Sequence, residues 1–199
     1  MSKLKFTVFI SSLVPFFWLA YALLTNQLGA NPVEVITRDT GEWALRFLWL
    51  TLLITPLRAW TGWNILGTLR RMLGLYVFFY AVIHMLLYLW LDQSFDVAEI
   101  IKDIIKRPFI TIGFFSFIAL IPLAITSNNK MVKKLGGKRW KQLHKLTYFI
   151  AVASAVHFYM LVKQDKTEPL IYISLLIILF AVRLYKNNKK TVKMASSLR

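Results

Sequence analysis

The sequence contains no cysteine, which excludes disulfides, thiolate nucleophiles, iron–sulfur clusters and cysteine-type zinc sites. It is poor in acid, with 9 Asp+Glu against 25 Lys+Arg, and poor in glycine, with 8 in 199 residues. The one glycine doublet, Gly136-Gly137, is too little for a phosphate-binding loop, so no nicotinamide or flavin-dehydrogenase domain is expected. What is abundant is apolar. Hydrophobic residues make up 57% of the chain and aromatic residues 15%, against about 45–50% apolar in ordinary soluble domains. The basic excess alone would suggest nucleic-acid binding, but so small a soluble globule could not hide this much apolar surface. The two facts agree for an integral membrane protein, where lipid solvates apolar helices and basic residues collect on one side.

A bilayer core needs about 20 mostly apolar residues per helix. Six stretches qualify, near 6–24, 43–60, 72–91, 109–125, 142–162 and 170–185. They are continuous rather than alternating, so the expected fold is an all-α, six-helix membrane bundle over residues 1–185, followed by a basic tail at 186–199. There is no obvious internal repeat. Lys3 and Lys5 before an apolar run, with Ala20-Tyr21-Ala22 behind it, imitate a secretory signal, but the run is long and reads as a retained signal anchor.

Charge sorts the connections. Segments 1–5, 58–71, 126–141 and 183–199 hold 17 Lys/Arg, the alternate segments 25–42, 92–107 and 163–168 hold 6, and all nine acids lie in the alternate set. The positive-inside rule then places both termini in the cytoplasm. The basic cluster at 126–141 is a topology and anionic-lipid feature, with an acidic cytosolic protein or a flavin phosphate as a second reading. Residues 95–107 form a short amphipathic helix that lies on the membrane surface or docks an outer partner. Pro15, Pro56 and Pro122 are expected to kink their helices.

Only three histidines occur, His84, His144 and His157, all within or at the margins of spans, where ionisable groups mark ligand sites, relays or pathways. The third and fifth spans run in the same direction, which brings His84 and His157 to one depth in the outer half of the bilayer. Two facing imidazoles are what a six-coordinate b-type haem requires, one nitrogen from each ring and no position open for oxygen. His144 and His157 are 13 residues apart, about 20 Å of helix rise, which suits two stacked haems. Thirteen residues also turn an ideal helix about 140°, so the pair needs different pocket sides or a distorted helix. His144 has no histidine partner: Arg70 and Arg71 stand at the matching depth and read as propionate contacts or topology signals. Arg46 pairs with a propionate or snorkels to the headgroups. Gly74 and Ala81 near His84, and Ala151, Ala153, Ser154 and Ala155 before His157, leave room for a ring.

Three ordered segments carry a resemblance: Thr40-Gly41-Glu42-Trp43-Ala44-Leu45 with Thr55-Pro56-Leu57-Arg58; Arg70-Arg71-Met72-Leu73-Gly74-Leu75 leading to Tyr80 and His84; and residues 135–146, through His144, followed by His157. They resemble the MsrQ (formerly YedZ) family, haem-binding membrane subunits of bacterial protein-methionine-sulfoxide reductase systems within the ferric-reductase-like transmembrane superfamily. The resemblance implies an inner-membrane carrier that passes electrons to a periplasmic molybdopterin enzyme. It implies haem b, one or two, with FMN beside it, and the quinone pool or a cytosolic flavin reductase as donor. Carried onto this chain, the haem ligands are His84, His144 and His157. Compared with the larger oxidases of the superfamily, the second histidine of the third span and the dehydrogenase domain are missing. The alternatives are a direct reductase of ferric or cupric chelates and a haem-free, histidine-using proton or ion transporter.

Overall fold

The computed structural model describes residues 2–196, which contain helices and no strand. The helices are α1 (Lys3–Leu24), α2 (Pro32–Thr61), α3 (Leu66–Leu87), α4 (Val97–Lys106), α5 (Pro108–Ile125), α6 (Asn129–Leu135), α7 (Gly137–Leu143), α8 (Leu146–Leu161) and α9 (Thr167–Ser196). A wide π turn, Tyr88–Asp92, continues α3. The expected basic tail begins within α9, and its last residues, 197–199, lie outside the described residues.

Among the described residues, four segments are long and apolar enough to cross a membrane: Lys3–Leu24, Leu66–Asp92, Pro108–Ile125 and Thr167–Tyr185. The expected second and fifth spans are helical but differ from simple apolar rods. α2 starts well before residue 43 because Asn31 caps it, its side chain accepting the Glu34 N–H at 3.3 Å, with Pro32 in the first turn. It therefore carries Glu34, Arg38, Asp39, Glu42 and Arg46 as helical residues, and Arg46 lies more than three turns inside it. α2 ends on Gly62, whose φ of 72° supplies the left-handed cap. α8 starts only at Leu146 and has 16 residues, because the chain turns at His144 and Lys145 between α7 and α8.

Two antiparallel helix pairs organise the bundle. α2 packs along α3, and α5 along α8, with α3 and α5 joining the pairs; α1 covers α2 and α3, and α9 covers α2 and α8. The shared core runs from Leu45, Leu48 and Leu52 through Leu73, Val77 and Tyr80 to Leu120, Ile150 and Phe158. Apolar side chains also cover the outside, among them Phe17, Trp18, Phe115, Ile177 and Leu184. A water-facing surface does not carry apolar patches of that extent, whereas lipid requires them.

Two of the prolines are served by neighbouring helices. Beside Pro15 in α1, the fully buried Tyr80 hydroxyl donates to Ser12 O at 2.8 Å and accepts the Phe16 N–H at 3.1 Å. A side chain thus enters the backbone ladder one turn around the proline. Tyr80→Phe deletes both bonds in a buried place and is expected to cost about 1–3 kcal/mol. Tyr76→Phe, which loses only its bond to Phe9 O, should cost less; thermal unfolding in detergent compares them. In α2, Pro56 cannot donate to Leu52 O, and Arg183 of α9 donates to it instead at 2.5 Å.

The amphipathic segment is a helix, α4, but turned against the usual sense. Asp103 points inward, accepting from the Tyr88 hydroxyl at 3.0 Å and pairing with Arg107 at 2.9 Å. Val97, Ile101 and Ile105 are exposed. An apolar face outward suits a surface wetted by lipid rather than by water.

Candidate functional site

α3 brings His84 and α8 brings His157 to one level, with ring centres 6.4 Å apart and ring planes at 81°. In each ring the Nδ1 atom meets a backbone carbonyl: Thr37 O on α2 lies 2.8 Å from His84, and Phe109 O on α5 lies 2.6 Å from His157. A carbonyl oxygen only accepts, so both Nδ1 atoms carry the proton and both Nε2 atoms keep their lone pair. Among the described residues neither Nε2 has a hydrogen-bond partner, and both histidines line one cavity of about 1080 Å³. Two metal–nitrogen bonds of about 2.0 Å plus the half-rings behind them add to about 6.3 Å, so the observed separation suits one metal held between the two rings.

Each ring is seated on a glycine. A Cβ placed on Gly41 would come within 3.0 Å of His84, and one on Gly113 within 2.9 Å of His157. Only glycine lets these imidazoles reach the carbonyls behind them.

The cavity is closed at one end by Leu48, Val77, Leu120 and Ile150, all buried, and opens at the other between Glu34, Arg38, Asp92, Lys163, Asp165 and Glu168, all exposed. Arg38 spans the opening, 2.9 Å from Glu42 and 3.0 Å from Glu168. Its hydrogen bond to Glu42 outweighs desolvation and holds the guanidinium above the ordinary arginine value. The Thr37 hydroxyl on the same wall is buried without a partner.

The remaining residues marked in the sequence are placed elsewhere. Arg46 pairs with Glu42 at 2.7 Å, donates to the Tyr172 hydroxyl at 3.0 Å and lies over the Trp43 ring, away from the cavity. Arg70 and Arg71 sit at the other end of α3, reaching Thr55 at 3.5 Å and Asn129 at 2.5 Å. His144, in the turn before α8, stacks on Trp140 at 3.9 Å, and its Nε2 lies 3.0 Å from Thr126 Oγ1. That hydroxyl gives its own proton to Pro122 O at 2.6 Å, so His144 donates from Nε2 and its Nδ1 carries the lone pair. Because the chain turns at residues 144–145, His144 and His157 do not lie on one straight helix. Of the small residues, Ala81 and Ser154 line the cavity, whereas Gly74 packs toward Thr51.

Residues 40–155 match the family model described as a ferric reductase like transmembrane component. A protein of Herminiimonas arsenicoxydans named protein-methionine-sulfoxide reductase heme-binding subunit MsrQ is 52% identical over 187 residues, 93% of this chain and 86% of that one. Proteins of the same name from Polaromonas naphthalenivorans (strain CJ2) and Rhodospirillum rubrum are 45% and 46% identical, over 96% and 90% of this chain and 88% and 86% of theirs.

Proposed function

Since the chain belongs to the ferric-reductase-like transmembrane family, in its branch of protein-methionine-sulfoxide reductase haem-binding subunits, we propose that it holds haem b between His84 and His157 and carries electrons across the bacterial inner membrane to a periplasmic molybdopterin methionine-sulfoxide reductase. The observation that carries this reading is the pair of free Nε2 atoms facing one cavity, each fixed by a carbonyl on its Nδ1–H. Among the described residues no group of three or more His, Asp or Glu could hold a bare metal ion, which favours a metal brought in by a macrocycle.

The residues divide the work. His84 and His157 ligate, and their backbone bonds prevent either ring from turning. Thr37 Oγ1 and Arg38, at the open end, would hold the acidic edge of the group, and the buried leucines below exclude water. A bis-histidine haem supplies one-electron transfer without an open site for oxygen. The proposal includes six spans with both termini in the cytoplasm. It is supported by the 17 basic residues of segments 1–5, 58–71, 126–141 and 183–199 against 6 in the acid-bearing segments. It also includes a quinone-pool or cytosolic flavin-reductase donor. His144 is proposed as a ligand of a second, inner haem, with Arg70 and Arg71 as contacts for its propionates. FMN enters on the family resemblance alone, and no residue here is assigned to it.

A reduced-minus-oxidised spectrum with haem quantification on purified wild type tests the reading. A low-spin b-type spectrum is expected, and folded protein without haem from haem-replete cells would overturn it. Near-perpendicular ligand planes should also give the ferric protein a strongly anisotropic low-spin electron-paramagnetic signal. Thr37→Val, which removes only the unpartnered hydroxyl, is expected to weaken haem retention by about 1 kcal/mol, roughly fivefold, measured by haem transfer to an apo-globin acceptor.

A further inference from the structure

The cavity is built twice. Lining positions on α2 recur on α5 at a constant spacing of 72 residues: Gly41 with Gly113, Leu45 with Phe117, Leu48 with Leu120. Those on α3 and the π turn that continues it recur on α8 at a spacing of 73: Ala81 with Ser154, His84 with His157, Tyr88 with Leu161. The two carbonyl acceptors, Thr37 and Phe109, keep the first spacing, and the rim acids Asp92 and Asp165 keep the second. α2 and α5 both lead from the open end inward, and α3 and α8 both return to it. The two pairs are therefore related by an approximate two-fold axis running along the bundle.

Side-chain identity changes at half of these paired positions, as at Leu45 and Phe117. At the seats it does not: both are a glycine against a histidine. A Cβ at either seat would approach Nδ1 and Cε1 of its histidine to 3.0 Å or 2.9 Å, inside the contact distance of about 3.5–4.0 Å. The ring would have to retreat, and the carbonyl it bonds lies on the same helix one turn from the glycine. The Nδ1–H bond would stretch in both seats alike.

We propose that Gly41 and Gly113 are equivalent positioning residues, each setting the tilt and the Nδ1–H bond of one axial histidine so that the two reach the iron as a matched pair. This rests on the haem reading above. The test uses full-length, purified Gly41→Ala and Gly113→Ala, with Gly74→Ala as control, since a Cβ there meets only Thr51 Cγ2 at an ordinary 3.9 Å. Haem per chain, spin state and midpoint potential are measured. A weaker Nδ1–H bond makes imidazole a poorer donor to ferric iron. Both cavity variants should therefore shift the potential upward by similar amounts and gain some high-spin component, while Gly74→Ala matches wild type. An unchanged potential and spin state in either variant, or the same change in the control, overturns the assignment. Should the alanine variants lose haem, hyperfine spectroscopy of ¹⁵N-histidine-labelled wild type decides. Two ligands with matched Nδ1–H couplings are expected, and two dissimilar ligands would refute the pairing. Haem-free wild type would instead remove the haem reading itself, whereas haem-replete wild type with unresponsive glycines removes only the positioning role.

Discussion

Replacing either His84 or His157 with alanine is expected to eliminate the low-spin haem signal of the outer site. The loss should be near total for each variant separately. The Nε2 atoms face the cavity from opposite helix pairs, and removing one leaves the other with its proton still committed to a backbone carbonyl. No nearby side chain can substitute: Tyr88 is bonded to Asp103, and Met85, though on the wall, follows His84 directly and so projects about 100° around the helix from it. The companion variant His144→Ala separates a one-haem from a two-haem protein. It should leave the His84–His157 spectrum intact, because its ring contacts Trp140 and Thr126 rather than the cavity. A fall in haem per chain with that spectrum preserved would count a second haem near Thr126. A His84→Ala protein that kept a wild-type spectrum and full haem content would refute the outer site.

Arg183→Met is expected to be among the most destabilising changes outside the cavity, by about 2 kcal/mol. The guanidinium donates to Leu52 O at 2.5 Å and to the Tyr148 hydroxyl at 2.6 Å, and stacks on the Tyr148 ring. It also brings a cost, since its Nε is buried without a partner. The decisive interaction is with Leu52 O. That carbonyl belongs to a buried residue and is deprived of its helical donor by Pro56. Pro56→Ala supplies the missing N–H, so Arg183→Met should cost distinctly less in a Pro56→Ala background. A double-mutant cycle read by thermal unfolding in detergent measures the difference. Additive effects of the two changes would show that Arg183 contributes nothing through Leu52.

The sequence shows why some of this was legible and some was not. Apolar runs and the unequal distribution of Lys and Arg identify the helices, and the scarcity of histidine, with the parallel run of two spans, brings His84 and His157 to one depth. Helix ends at α2 and α8 were less legible. Asn31 and Pro32 begin α2 inside a loop judged polar by its charges, and the turn at His144 is hidden within an apolar stretch. Arg46 drew attention as an isolated intramembrane cation, yet Glu42, one turn earlier, already neutralises it, and Arg38 holds the position facing the cavity. Gly41 and Gly113 were invisible as seats, since a glycine acquires that role only from a ring on another helix. Their equal offsets from the rest of the cavity wall were equally silent: position is kept across the two halves while residue type changes at half of the named pairs.

The carbonyls behind the two histidines also fix where their protons stay. Thr37 O and Phe109 O are not bases at any physiological pH, so neither ring has a neighbour there to which its Nδ1 proton could move. Glu42, the buried carboxylate nearest that wall, is already held between two arginines. Two histidines held this way have no exit for a proton through Nδ1, which counts against a histidine proton relay along this wall.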